Sequence, residues 1–451
     1  MPAGPSVLGA APGPKDPVPL EVIRHDPLGF LRAIVARHGP VVQHIVDGRH
    51  VITVNDPAGV HRVLTVNRAN YVKTGTPDEQ MLVPLLGRGL LTSDGGEWRR
   101  QRQLTQPAFQ HRQLVTFDAL MCAVAQRLVD SWTAQAGASV RVDRDLTAAT
   151  LTIVAQALLG SDLAVGARFG DAVDAANRFM GHYGADDSPE RDGRREFLQA
   201  KRFLDQIVGL LIAGAGLDDS ARSDVLAQLV HARTDERPDG FSPVEIRDQV
   251  ITLLMAGHET TAKALAWTLY LLDRHPDVRA GLEAEVAAVV GDRAVTATDV
   301  AQLVRCRNVI HESLRLYPPV WLISRTAVAD DVVAGYAVPA GALVCVSPWL
   351  LHRRTDVWGD DVEDFVPDRF SGRDDVFAPG GSFLPFGAGP RQCIGQQFAL
   401  LESTIVLATI VDGVRLELAA DHPPVEPEAL VTLRPRDGLR MTPRPRAGPD
   451  R

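Results

Sequence analysis

Cysteine is scarce in this chain. Four residues in 451 (Cys122, Cys306, Cys345 and Cys393) lie far apart with no paired spacing. That excludes a disulfide framework and a zinc knuckle, and it suits a reducing compartment. An excess of positive charge is missing too. Lys plus Arg number 47 against 56 for Asp plus Glu, a formal net charge of −9, which offers no electrostatic footprint for nucleic acid or an anionic membrane. No apolar stretch approaches the roughly 20 uninterrupted residues of a membrane span, and no repeat, low-complexity block or linker divides the chain. Residues 1–19 lack the basic start and apolar run of a signal peptide. Their Pro, Gly and Ala content instead reads as part of a flexible leader over 1–26, ahead of a single domain over 27–451. The expectation is a soluble, cytoplasmic protein with no membrane anchor and no nucleic-acid partner.

What is present is a composition 45% hydrophobic and 23% charged, which is globular, with material for a large core. The pattern is helical over 28–37, and helical periodicity is strongest over 114–132, 146–159, 244–272 and 278–290. Two strands, 41–46 and 51–54, flank the turn Asp47-Gly48-Arg49, and short strands follow around 332–338, 343–346 and 432–440. The fold class predicted is mainly α with a small β portion. Residues 182–195 are polar, charged and Gly-containing, which reads as a surface connection.

The densest chemical signal is Phe386-Gly387-Ala388-Gly389-Pro390-Arg391-Gln392-Cys393-Ile394-Gly395, with an apolar helical run after it. A cysteine at a helix N-terminus faces backbone N–H donors and the positive end of the dipole, which favours thiolate over thiol. Gly389 and Gly395 let backbone approach a flat ligand closely, and Arg391 puts a cation near the anion. A thiolate in that setting can be a nucleophile, a redox sensor or an iron ligand, and composition alone does not choose among these and a structural cysteine.

The decapeptide resembles the haem-binding loop of the cytochrome P450 family, and three further stretches match in the family's order. The first is Ala256-Gly257-His258-Glu259-Thr260-Thr261 on the helix over 244–272. The others are Glu312-Ser313-Leu314-Arg315, with Pro367-Asp368-Arg369-Phe370 later in the chain, and Trp98-Arg99-Arg100-Gln101-Arg102. The likeness runs from about residue 27 to 443. Arg391 and the Tyr-Pro-Pro at 317–319 resemble the eukaryote-like branch.

The resemblance implies a cytochrome P450 fold with haem b (iron protoporphyrin IX) between the distal helix and the cysteine loop. Cys393 is then the axial ligand of the iron, tuned by N–H groups aimed at the sulfur, with Phe386 and Gly395 framing it. Gly257 clears space for dioxygen, Thr260 hydrogen-bonds it and Glu259 relays protons. Trp98, Arg102, Arg325, His352 and Arg391 hold the haem propionates. Glu312, Arg315 and Arg369 form a buried structural triad rather than a catalytic group.

The implied reaction is monooxygenation: one atom of O2 enters the substrate by hydroxylation or epoxidation and the other leaves as water. The stretch after Cys393 is too short for a fused flavin or iron–sulfur domain. Electrons are therefore expected from a separate ferredoxin and its NAD(P)H-dependent reductase, docking on Arg99, Arg100 and Arg112 of a monomer. The pocket is expected from 72–91, the connection near His182, 253–260, 320–323 and 429–431. Met81, Leu82, Leu85, Trp321, Leu322 and Ile323 make it apolar, and Lys73 and Arg88 are the candidate carboxylate clamps. That suits a small hydrophobic natural product such as a terpenoid or polyketide of secondary metabolism. The alternatives are a fatty-acid hydroxylase and, in another class, a non-catalytic haem-binding sensor or carrier, which would need no Glu259–Thr260 pair.

Overall fold

A computed structural model describes residues 9–160, 171–173, 175–176, 179–180, 191–215, 225–231, 240–373, 377 and 380–445. Residues 1–8 of the expected leader and 182–190 of the expected connection lie outside the described residues.

Around one helix, Pro243–Arg274, most of the core is assembled. Its start is fixed by a capping box: the Ser242 hydroxyl accepts from the Glu245 N–H, and the Glu245 carboxylate accepts from the Ser242 N–H. Pro243 adds a first residue already at helical φ. Its end comes at His275, because Pro276 pushes the preceding residue out of helical conformation. Between the caps the helix is buried on nearly every side, against the helices Val142–Leu159, Val304–Leu316 and Gln396–Gly413. Gln396–Gly413 is itself buried all round its middle turns, mostly through apolar residues but with Glu402, Ser403 and Thr404 among them.

The β portion lies to one side. Its largest sheet has the order Val41–Val46, Arg49–Val54, Leu343–Val346, Ile323–Ala327, Tyr71–Val72. Arg49–Val54 and Leu343–Val346 run parallel, and the other pairs are antiparallel. In the last pair Tyr71 faces Ala327 and Val72 faces Thr326. Extending that register by one residue sets Lys73 opposite Arg325.

The long helices and the first hairpin fall where periodicity puts them, within a few residues at each end. Five features differ from the sequence reading. Residues 191–195, expected in a surface connection, begin the helix Arg191–Ala215, and the expected strand around 332–338 is a hairpin of Asp331–Val333 and Tyr336–Val338. Residues 9–26 are not a free leader: the Gly9, Pro12 and Val18 backbones bond to Ala337, Gln43 and Ile45 at 2.8–2.9 Å, and Leu20–His25 is helical. A Pro-rich extended segment keeps its carbonyls available, and here they cover the N–H groups of exposed strands. Residues 432–440 form a strand, Leu433–Pro435, then a turn, then the start of Arg440–Pro445. Ile323–Ala327 is a strand that its polar centre, Ser-Arg-Thr, concealed. Among the described residues, no helix is long and apolar enough to cross a membrane.

Candidate functional site

The cysteine loop is closed by its own backbone. The Cys393 N–H donates to the Phe386 carbonyl at 2.9 Å, and the nearby Gly395 N–H favours the Cys393 thiolate. Gly389 has φ +68°, and a Cβ there would lie 2.1 Å from the Leu64 carbonyl oxygen. Only glycine lets the loop sit this close to the segment Arg62–Val66. Arg102 donates to the Gln392 carbonyl at 2.9 Å, and its positive charge favours the Cys393 thiolate. Burial outweighs both helpers and pushes the Cys393 thiol above its ordinary value. Yet the Cys393 side chain is accessible. A group that is accessible and desolvated at once faces an internal slot.

Accessible surface also appears in the middle of the central helix, where it has least reason to occur. Ala256 is exposed and Thr260, one turn on, is half-buried, while Leu253 to Met255, His258, Glu259, Thr261 and Ala262 are buried. The Thr260 hydroxyl donates to the Ala256 carbonyl at 2.9 Å. Gly257, expected to clear space for dioxygen, is turned towards a neighbouring helix instead. A Cβ there would press on the Val154 methyls at 3.1 and 3.2 Å, so it serves the packing against Val142–Leu159 and Ala256 is the small residue of the slot. Glu259 is buried, and its Oε1 accepts from the Thr432 hydroxyl at 2.9 Å.

At one end of the site the cations gather. Burial, then Arg325 and Arg391, bring the Lys73 ammonium down to about 7, although Asp78 and Asp94 oppose them. Burial and Arg391 lower Arg325 to about 10. The Arg391 guanidinium bonds the Asp94 carboxylate and the Ser93 carbonyl and lies 4.8 Å from the centre of the Trp98 ring. Three mutually repelling cations with partial compensation ask for further negative charge.

His352 is not among them. It is fully buried, its Nε2 accepts from the Leu384 N–H at 2.8 Å, and its Nδ1 therefore carries the proton, 3.2 Å from the Arg315 carbonyl. Burial brings its pKa down to about 3. With both ring nitrogens on backbone, it has no hydrogen to offer a carboxylate.

Glu312, Arg315 and Arg369 do come together. Glu312 and Arg315 are fully buried, with contacts of 2.6 and 2.8 Å, and Arg369 reaches Glu312 at 3.3 Å. Arg315 also ties down the carbonyls of Val362 and Asp364 in the segment that leads to Arg369.

Other expected residues are engaged elsewhere. Arg88 pairs with Glu97 at the surface and is no clamp. Arg100 pairs with Glu245 and lies over Phe241, whereas Arg99 and Arg112 are exposed. Leu82 and Leu85 belong to the core, while Met81, Trp321, Leu322 and Ile323 are half-buried. Thr432 and Asp94 escaped the sequence reading. Thr432 lies 173 residues from the carboxylate it touches, and no local pattern marks such a contact.

The residues fit a flat, dianionic metal macrocycle. An accessible thiol, a small alanine exposed on the central helix and a group of buried cations suit such a group. Among the described residues, no group of three or more His, Cys, Asp or Glu gathers as a bare ion would require. A lone thiolate suits a metal whose remaining donors belong to a ring.

A family model described as Cytochrome P450 matches residues 19–441. The chain is similar to a Streptomyces melanosporofaciens protein named Cyclooctatin synthase, at 35% identity over 93% of this chain and 92% of that one. It is similar to Cyclooctat-9-en-7-ol 5-monooxygenase of the same organism, at 31% over 92% and 91%. It is also similar to Pentalenene oxygenase of Streptomyces avermitilis, at 32% over 95% of each chain.

Proposed function

The chain belongs to the cytochrome P450 family of haem-thiolate monooxygenases, and from that premise we propose that it inserts one atom of O2 into a small hydrophobic natural product. Terpenoids come first and polyketides second. The names of the relatives, an oxygenase for pentalenene and a monooxygenase for cyclooctat-9-en-7-ol, support that class. The half-buried apolar set Met81, Trp321, Leu322 and Ile323 suits it.

Haem b, when bound, would supply the oxygen-activating chemistry of a reaction that sends one oxygen of O2 to substrate and the other to water. The chain does the rest. Cys393 would hold the haem iron through its sulfur, which the Gly395 N–H favours as thiolate, with Phe386 closing the loop. Trp98, Arg102, Arg325 and Arg391 hold the propionates, joined by Lys73. Thr260 keeps a hydroxyl proton at the distal side, one turn from Ala256, and Glu259 passes protons inward. Glu312, Arg315 and Arg369 stiffen the segment between the central core and the cysteine loop. The chain works as one domain, with residues 9–26 packed on it, of a cytoplasmic monomer. A separate ferredoxin, reduced by an NAD(P)H-dependent reductase, docks near Arg99 and Arg112.

The observation that carries the reading is the accessible, N–H-supported Cys393 in a glycine loop that belongs to the interior. The carbon-monoxide spectrum of the reduced protein tests it. Wild type is expected to show the thiolate-ligand band and Cys393→Ala to lose it; survival of the band in that variant refutes the assignment. A Soret titration of the ferric protein with terpenes, macrolactones and fatty acids then tests the substrate class. A high-spin shift confined to fatty acids refutes the natural-product reading.

A further inference from the structure

The hairpin tip at 430–433 is stitched to the distal side of the site by side chains on other elements. The Trp321 indole donates to the Leu430 carbonyl at 2.8 Å. The Trp267 indole donates to the Leu433 carbonyl at 3.1 Å, and the Leu433 N–H donates to Pro319 at 2.9 Å. These bonds fix the backbone on both sides of Thr432. Its hydroxyl then has one job in view, a 2.9 Å bond to Glu259 Oε1, with both residues buried. A hydroxyl can give this bond to a carboxylate and receive a proton in return.

We propose that Thr432 is a positioning residue for proton delivery. It holds the Glu259 carboxylate in one rotamer, so that the acid takes a proton from solvent and releases it towards Thr260. This rests on Glu259 being the relay of the reaction above. Thr260 is the next residue along the helix, so a change of Glu259 rotamer moves the carboxylate relative to the Thr260 hydroxyl without moving the backbone. The Trp321 and Trp267 anchors keep Thr432 from following the acid. When the relay is misplaced, protons arrive wrongly, and O2 takes two electrons and two protons and leaves as hydrogen peroxide instead of ending in product and water.

The test compares Thr432→Val, Thr432→Ser and Glu259→Gln holoenzymes with wild type, using a surrogate ferredoxin and a substrate that gives a Soret shift. Thr432→Val keeps the shape and removes only the hydroxyl. It is expected to raise the peroxide share of consumed NAD(P)H several-fold and to enlarge the solvent isotope effect on product formation. Thr432→Ser is expected to restore both. The Soret shift is expected to stay at the wild-type value in both, and the thermal midpoint to fall slightly in Thr432→Val, where a buried carboxylate oxygen loses its donor; a merely structural role would lower the midpoint and leave the isotope effect alone. Independently of turnover, a crystal structure of Thr432→Val is expected to show the Glu259 carboxylate in another rotamer. If Glu259→Gln diverts electrons to peroxide and Thr432→Val does not, the positioning role is overturned and the relay stands. If neither variant diverts electrons, the relay is overturned and this role with it.

Discussion

Arg315 gives the sharpest test of the buried network, because every one of its guanidinium hydrogens has a partner. Nε and Nη2 bond the Glu312 carboxylate at 2.6 and 2.8 Å. Nη1 bonds the carbonyls of His352 and Val362 at 3.0 and 2.7 Å, and Nη2 also bonds Asp364 at 3.0 Å. Arg315→Lys keeps the charge but offers three hydrogens from a point instead of five in a planar fork. At least two buried acceptors lose their donor at about 1–2 kcal/mol each, so the loss is about 2–4 kcal/mol. Arg315→Met strands more. Glu312, fully buried, keeps only Arg369 at 3.3 Å and the Val366 N–H at 2.9 Å, and the expected loss is about 3–5 kcal/mol. Urea unfolding followed by far-UV circular dichroism at pH 7, with recovery of signal checked on dilution, measures both. An Arg315→Lys protein within about 0.5 kcal/mol of wild type, or one less stable than Arg315→Met, refutes the reasoning.

Stability should also fall in mild acid. Burial holds His352 at about 3 and His44 and His311 at about 4 in the folded chain, against about 6.5 when unfolded. Below 6.5 the unfolded state takes up protons the folded state refuses, so each histidine removes up to about 1.4 kcal/mol per pH unit down to its folded value. The urea midpoint is expected to drop between pH 6.5 and 5, less steeply in His352→Gln; a flat profile contradicts it. Gly389→Ala forces an L-residue to φ +68° and a Cβ against Leu64, at about 2 kcal/mol or more, and is expected to lower the haem-to-protein absorbance ratio. Full haem retention would mean the loop moves freely. Arg99→Glu with Arg112→Glu should raise the KM for an acidic ferredoxin several-fold at low salt and little at high salt. An unchanged salt dependence places the dock elsewhere.

Local order decided what the sequence alone could determine. The central helix carries its own start and stop in Ser242, Pro243, Glu245 and Pro276, and its long apolar run demands enclosure. The cysteine loop is legible for the same reason: its glycines, its thiol and the helix behind it are contiguous, so one stretch of chain contains the whole constraint. Glu312 and Arg315 share a helix face three residues apart, and only the arrival of Arg369 needed the fold.

Tertiary structure decided which groups face which. It placed Gly257 against Val154 and left Ala256 to the slot, a choice of helix rotation that depends on where Val142–Leu159 packs. It turned His352 inward onto Leu384 and Arg315 and committed Arg100 to Glu245. Register across a strand pair brought Lys73 towards Arg325, and a hairpin far along the chain delivered Thr432 to Glu259. Charge and hydrogen bonding act over a few ångströms of space, whatever the separation in sequence. Residue type told what each group can do, and only packing could say to what.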